Sequence, residues 1–149
     1  PCIVTRACSK AYGLAGVRVG YAFTSDSLLC DALWNLRNSF NVNRIALAGA
    51  VAALDDDTWL KKVIDKTVIE RDRLSSGLTE LGFVPFPSAA NFVTARSVGP
   101  AEQHVQALAA NNIMAGAMPW PDENGCLRIT VGQPDDTDAI LRVLKDSIA

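Results

Sequence analysis

The chain has 149 residues, 49% of them hydrophobic and 20% charged, the composition of an ordinary globular protein with room for one domain or parts of two. Its net charge of −2 offers no basic field for nucleic acid or an anionic membrane surface. No apolar run approaches the ~20 residues of a membrane-spanning helix.

Four cysteines, Cys2, Cys8, Cys30 and Cys126, form no C-x-x-C pair. With a single histidine, His104, they make a zinc site an unsuitable reading, and no metal is expected. They read as small core residues of a reducing compartment.

The sequence begins at Pro1, directly in an apolar run, and reads as a piece of a longer chain. Cys2-Ile3-Val4-Thr5 predicts a short buried strand, and Val19 to Thr24 predicts the next one. Between them, Ser9-Lys10 opens a small-residue turn with Gly13 and Gly16, and Arg18 follows Lys10 by eight residues. A lysine on a turn at the end of a buried strand is open to desolvation, which favours the neutral, nucleophilic amine that Schiff-base chemistry requires. An arginine beside it is suited to hold a phosphate with two parallel hydrogen bonds.

Ser25-Asp26-Ser27 supplies capping side chains for a helix reaching about Asn38, with Leu28, Leu29, Ala32, Leu33 and Leu36 on one face. Ser39 to Asn43 is a polar break in which Asn43 caps the next helix. That helix, Arg44 to Leu54, is apolar nearly all round, which predicts burial or a subunit interface. Asp55-Asp56-Asp57 places negative charge at the start of a long helix, where the dipole favours it. Thr58 to Leu81 carries apolar residues at helical spacing over about 35 Å, and Gly82 stops it. A helix this long is suited to bridging subdomains. The expected boundary lies near Asp55, giving units of residues 1–55 and 56–149.

Beyond it the elements shorten. Strands are predicted at Phe83 to Phe86, Asn91 to Ala95, Ile113 to Ala115 and Cys126 to Val131. Helices are predicted at Pro100 to Asn111, with His104 on the surface or half-buried, and at Asp135 to Ile148. Gly116 to Gly125 reads as a loop. The pattern predicts a small α+β domain with helices on one face of a mixed sheet. Arg128 stands among apolar residues in Leu127-Arg128-Ile129-Thr130-Val131-Gly132. An arginine there should face a cleft or an anion, or pair with a carboxylate such as Asp136, because an unpaired buried charge is costly.

The run Ala7-Cys8-Ser9-Lys10-Ala11-Tyr12-Gly13-Leu14-Ala15-Gly16, followed by Val17-Arg18-Val19-Gly20-Tyr21, resembles the cofactor-lysine segment of fold-type I aminotransferases. It is most similar to the histidinol-phosphate aminotransferase branch, as are Leu127 to Gly132, Pro87-Ser88-Ala89-Ala90-Asn91-Phe92 and Phe40-Asn41-Val42-Asn43. The resemblance covers this whole chain but only the carboxyl-terminal part of the family's chain. It implies an α/β fold: the end of the large pyridoxal-phosphate-binding domain, then a small α+β domain.

The resemblance also implies a cofactor, pyridoxal 5'-phosphate, and roles for particular residues. Lys10 holds the cofactor and moves the proton at the substrate Cα. Ser9 and Arg18 bind the cofactor phosphate. Arg128 takes the substrate α-carboxylate, and Asn91 fixes backbone geometry near the site. The implied reaction is a ping-pong transfer of an amino group between an amino acid and a 2-oxo acid.

Two departures stand out. Ala7 occupies a place where the family carries a hydroxyl residue, and Gly116 a place where it carries a phosphate-binding arginine. They open the donor to an aromatic or other amino acid beside histidinol phosphate. A cytoplasmic homodimer is expected on family grounds. The family's ring-stacking aromatic, its aspartate for the pyridine nitrogen and its glycine-rich phosphate loop lie upstream of Lys10. The isolated polypeptide is therefore expected to be inactive. A decarboxylase of the same cofactor family and a non-catalytic or effector-sensing remnant are the competing readings.

Overall fold

In the computed structural model, which describes residues 1–148, the chain divides into two compact units, Pro1–Ile64 and Asp65–Ala149.

In the first unit, β1 (Ile3–Ala7) pairs antiparallel with β2 (Gly20–Thr24), in a register running from Ile3 opposite Thr24 to Ala7 opposite Gly20. Every residue of β1 is exposed, where the apolar run predicted a buried strand. Two strands have two faces to cover, and a two-stranded sheet has no further strand or helix layer with which to enclose both.

Helix α1 (Ser27–Leu36) starts where Asp26 accepts hydrogen bonds from the Leu28 and Leu29 amides, at 2.9 and 3.2 Å. It ends two residues before the expected Asn38. Helix α2 (Arg44–Leu54) starts where the Asn43 side chain accepts from the Ala46 amide at 2.8 Å, as its capping chemistry predicts. The long helix α3 (Asp57–Glu80) starts where Asp56 accepts from the Trp59 amide at 2.8 Å.

The apolar stripes of α1 and α2 are not enclosed. Leu28 and Leu36 are about four-fifths exposed, Ile45 likewise, and only Ala46 and Ala50 of α2 are buried. The all-round apolar helix predicted burial or a subunit interface; within this unit only its alanine edge is covered.

In the second unit, α3 ends in a tight stop. Gly82 adopts φ +88, its amide donates to the Thr79 carbonyl, and the Phe83 amide returns to the Leu78 carbonyl at 3.0 Å. Only glycine takes that backbone conformation without strain.

Four strands follow: β3 (Val84–Pro85), β4 (Phe92–Arg96), β5 (Gly116–Met118) and β6 (Cys126–Thr130), in the order β3-β4-β6-β5. Every pairing is antiparallel, so the expected mixed sheet is not formed. The cause is the hairpin joining β5 to β6. Gly125 adopts φ +71, where an added Cβ would overlap the Met118 carbonyl, and β6 folds back between β5 and β4.

The last edge strand lies three residues later than expected. Helix α4 (Ala101–Ala110) closes with Asn112 at φ +61, and the amides of Asn112 and Ile113 return to the carbonyls of Ala109 and Leu108 at 3.0 Å. Ile113 is thus spent on capping α4, and the first three residues of the expected loop, Gly116 to Met118, make the strand.

Alternation along β4 and β6 sends Val93, Ala95, Leu127 and Ile129 to one face, where they join Leu74, Leu78, Phe83, Leu108, Ile140 and Leu144 in the core. The last helix, α5 (Pro134–Ile148), buries Thr137, Ile140, Val143 and Leu144. It lies so close to α3 that a Cβ on Gly77 would overlap the Leu141 side chain.

A polar clamp ties the two helices. Glu70, 93% buried, accepts from the Thr137 hydroxyl at 2.8 Å and from Arg73 at 3.0 Å. Arg73 also bonds Asp138 and the Pro134 carbonyl. Its guanidinium is held above its ordinary pKa first by the Asp138 hydrogen bond and then by Glu70, so it stays charged.

His104 is buried, rather than on the surface or half-buried as its helix position suggested. Its ring nitrogens meet the Ser147 hydroxyl at 2.8 Å and the Val98 carbonyl at 2.6 Å, and Phe83 packs edge-on against it. It is a satisfied core residue.

The cysteines also divide. Cys8 and Cys126 are buried as expected, Cys30 is half-buried, Cys2 is exposed, and all four are free.

Two measurements test this account. Thr137→Val removes one partner from a buried carboxylate and should lower unfolding stability by about 1–3 kcal/mol, read as a reduced urea midpoint. Iodoacetamide at about pH 8 should modify Cys2 first and Cys30 more slowly, leaving Cys8 and Cys126 until the chain unfolds. Cys126 should be the slowest, because desolvation, and then Asp122, push its thiol pKa up and so reduce the thiolate.

Candidate functional site

The loop between β1 and β2 carries three of the four residues singled out in the sequence. The Cys8 amide donates to the Val19 carbonyl at 3.2 Å and extends the strand pairing by one residue. The chain then turns. The Leu14 amide returns to the Cys8 carbonyl at 3.0 Å, and the Gly13 amide, with Gly13 at φ +69, returns to the Lys10 carbonyl at 2.9 Å. Ser9 is half-buried within this closed turn and Lys10 is exposed on it. Neither side chain forms a hydrogen bond or an ion pair among the described residues.

A single 3-10 turn, Ala15–Val17, leads to Arg18. Arg18 adopts φ 60 and ψ 60, left-handed backbone that costs an L-residue roughly 1–2 kcal/mol. Its guanidinium donates to the Ala15 carbonyl at 2.8 Å, which holds the side chain over the turn and offsets part of that cost. The remaining guanidinium donors are exposed. Gly20 then permits the strands to close: a Cβ there would stand 2.7 Å from the Arg6 carbonyl oxygen.

Tyr12, half-buried in the same loop, has its phenol pKa raised first by desolvation and then by Tyr21 nearby. It is therefore neutral and able to donate a hydrogen bond.

The loop presents an amine, a hydroxyl and a guanidinium from ten residues of chain. That donor set fits a group bearing an aldehyde and a phosphate. Ala7 lies exposed at the end of β1 and adds no hydroxyl.

Arg128 stands in the second unit, on the sheet face away from the core. It is exposed rather than buried, because strand alternation turns it away from Leu127 and Ile129. It does not pair with Asp136, whose carboxylate accepts instead from the Gln133 amide at 2.8 Å at the start of α5. Its guanidinium lies 4.0 Å from the centre of the Phe92 ring. In register it faces Thr94 on β4 and Gly116 on β5. A Cβ at Gly116 would meet the nearest atoms of Arg128 at 3.9–4.0 Å, an ordinary contact, so the backbone does not demand glycine there. The glycine leaves the sheet bare of a side chain beside the Arg128 backbone and Cβ.

Asn91 serves the sheet through its backbone, whose carbonyl accepts from the Val131 amide at 2.9 Å. The side-chain role expected of it belongs to Ser88, whose hydroxyl donates to the Phe92 carbonyl at 2.7 Å and accepts from the Ala90 amide at 3.1 Å. The ring of Phe92 and the brace by Ser88 were not legible beforehand. The available signal was a serine four residues before a strand aromatic that lies diagonal to the arginine.

Compared with known proteins, residues 1–144 match the family model for class I and II aminotransferases. Histidinol-phosphate aminotransferase 2 of Caulobacter vibrioides is 40% identical over 152 residues, an alignment covering 100% of this chain and 39% of that protein. The chain thus spans about two fifths of the length of the curated relatives it matches. Among solved structures, histidinol-phosphate aminotransferase from Sinorhizobium meliloti in complex with pyridoxal-5'-phosphate superposes with a TM-score of 0.87 at 34% identity, over 98% of this chain and 41% of that one. A decarboxylase from Sulfurospirillum multivorans superposes with a TM-score of 0.79 at 28% identity, over 99% of this chain and 44% of that one.

The loop geometry carries its own test. Gly20→Val forces β1 and β2 apart beside the turn, and amide exchange at Cys8 should speed up by about tenfold or more.

Proposed function

We propose, for a chain that belongs to the class I and II aminotransferase family, that the protein carrying it moves an amino group between an amino acid and a 2-oxo acid with pyridoxal phosphate. The observation that carries this reading is the closed turn that presents Lys10 beside Ser9 and ends on Arg18, whose strained backbone keeps its guanidinium over the same loop.

The cofactor, when bound, supplies an aldehyde for a covalent bond to an amine and a ring that draws electrons from the substrate Cα. Lys10 is the amine of this chain that holds it. With the cofactor bound, the same amine, once free, would take the proton from the substrate Cα as base and deliver it as acid to the cofactor carbon that had carried the aldehyde. Ser9 and Arg18 bind the phosphate, through a hydroxyl and the exposed guanidinium donors. Arg128 takes the substrate α-carboxylate through its planar fork.

The amino donor is histidinol phosphate or an aromatic or other amino acid. The 40% identity to a histidinol-phosphate aminotransferase favours the first, and the bare strip at Gly116 favours the others. Residues 1–55 are the end of the cofactor-binding domain and 56–149 the small domain. The protein is a cytoplasmic homodimer. Among the described residues no helix is long and apolar enough to cross a membrane. Inactivity of this stretch alone is part of the proposal, supported by its covering 39% of its relative's length.

A decarboxylase of the same cofactor class is the second reading, favoured by the structural likeness to the Sulfurospirillum protein. Arg128 argues against it, because a carboxylate held firmly in its fork is poorly placed to leave.

In the complete protein, Lys10→Ala should reduce amino transfer by at least about 10²-fold. A Lys10→Ala protein with normal transfer would sink the assignment. Release of carbon dioxide from an amino acid without any 2-oxo acid would select the decarboxylase.

A further inference from the structure

We infer that Phe92 is a positioning residue for Arg128 and that Ser88 braces it, so that the arginine fork is pre-oriented for a carboxylate. The inference rests on Arg128 binding the substrate carboxylate, and goes on to say what aims it.

Arg128 and Phe92 are diagonal neighbours across β4 and β6. Arg128 faces Thr94 in register, and Phe92 faces Thr130. Diagonal positions on one sheet face are within reach only of long or aromatic side chains, and these two have that reach. The guanidinium carbon sits 4.0 Å from the ring centre, the distance of a cation–π contact. No carboxylate competes for the fork. Among the described residues Arg128 makes no ion pair, and the arginine–carboxylate pair near this sheet is Arg96 with Asp122, at the opposite end of β4.

The guanidinium carbon lies over the ring, and among the described residues its N–H donors make no hydrogen bond or ion pair. An unconstrained arginine side chain loses rotamer freedom when it is fixed. Stacking removes part of that loss before the carboxylate arrives.

The ring is itself held. Ser88 donates to the Phe92 carbonyl and accepts from the Ala90 amide, closing Ser88 to Phe92 into a hydrogen-bonded loop. The Asn91 carbonyl then accepts from the Val131 amide, three residues beyond Arg128. The Pro87-to-Phe92 segment therefore fixes the strand entry from which the ring projects.

The test uses the complete protein, with pyruvate and 2-oxoglutarate as amino acceptors. Phe92→Leu should raise the acceptor KM by about 3–30-fold, the size of a cation–π contact, and move KM far more than kcat. Phe92→Tyr should restore KM to within about twofold of the parent, since it keeps the ring. Ser88→Ala should shift KM in the same direction by a smaller factor and keeps the test open if Phe92→Leu fails to fold. Arg128→Gln separates the two layers of the argument. If Arg128→Gln raises KM and neither Phe92→Leu nor Ser88→Ala does, the positioning role is overturned while the carboxylate reading stands. If Arg128→Gln leaves KM unchanged, the carboxylate reading itself fails. A loss confined to kcat, or one that Phe92→Tyr does not repair, also overturns the positioning role.

Discussion

A four-stranded antiparallel sheet with helices packed on one side can bury only one of its faces. The second unit is arranged around that limit. Alternation on β4 and β6 sends Val93, Ala95, Leu127 and Ile129 under the helices, and the same alternation compels Phe92, Thr94, Arg128 and Thr130 to the other side. Burying the apolar set is what exposes the arginine. A shift of one residue in register would exchange the two sets and place a guanidinium in the core at a cost of several kcal/mol. The stability of this unit and the presentation of Arg128 are therefore consequences of one pairing. The Glu70–Arg73–Thr137 clamp and the tight approach of Gly77 to Leu141 fix α5 over the buried face.

The first unit depends on local hydrogen bonds rather than on a core. Its buried residues are few, Cys8, Ala46 and Ala50. Phe40 is almost wholly exposed and Trp34 more than half. What is well determined is the loop. Three backbone bonds, one left-handed glycine and one left-handed arginine shape ten residues into a turn that offers an amine, a hydroxyl and a guanidinium. In the proposed function such a loop needs rigid backbone more than burial, because the reacting group has to be reached from outside.

The two units illustrate different uses of arginine. Arg18 is aimed by its own backbone, through an unusual φ and a bond to a carbonyl three residues earlier. Arg128 has ordinary strand backbone and lies over a neighbour's ring. Arg73 is neither; it is spent on structure, bonding two carboxylates and a carbonyl at once. The same side chain thus serves helix packing at Arg73 and, in the proposed function, phosphate binding at Arg18 and carboxylate binding at Arg128. What separates the three is how many of its donors the protein leaves free.

Local chemistry was legible in the sequence. The caps by Asp26 and Asn43, the acidic start and glycine stop of α3, and the placing of Ser9, Lys10 and Arg18 on one turn all depend on residues within a few positions of one another. Backbone preference and side-chain reach decide such features, whatever the rest of the chain does. Membership of the aminotransferase family was legible for the same reason, since its motifs are short and continuous. The tertiary structure alone decided that the sheet is wholly antiparallel, that His104 is a satisfied core residue, that β5 begins at Gly116, and that α1 and α2 keep exposed apolar faces. It alone set Arg128 over Phe92 and joined Glu70 to Thr137, partners 67 residues apart. Those outcomes depend on which strands pair and which helices cover them, and apolar periodicity states that a face wants cover without stating what supplies it.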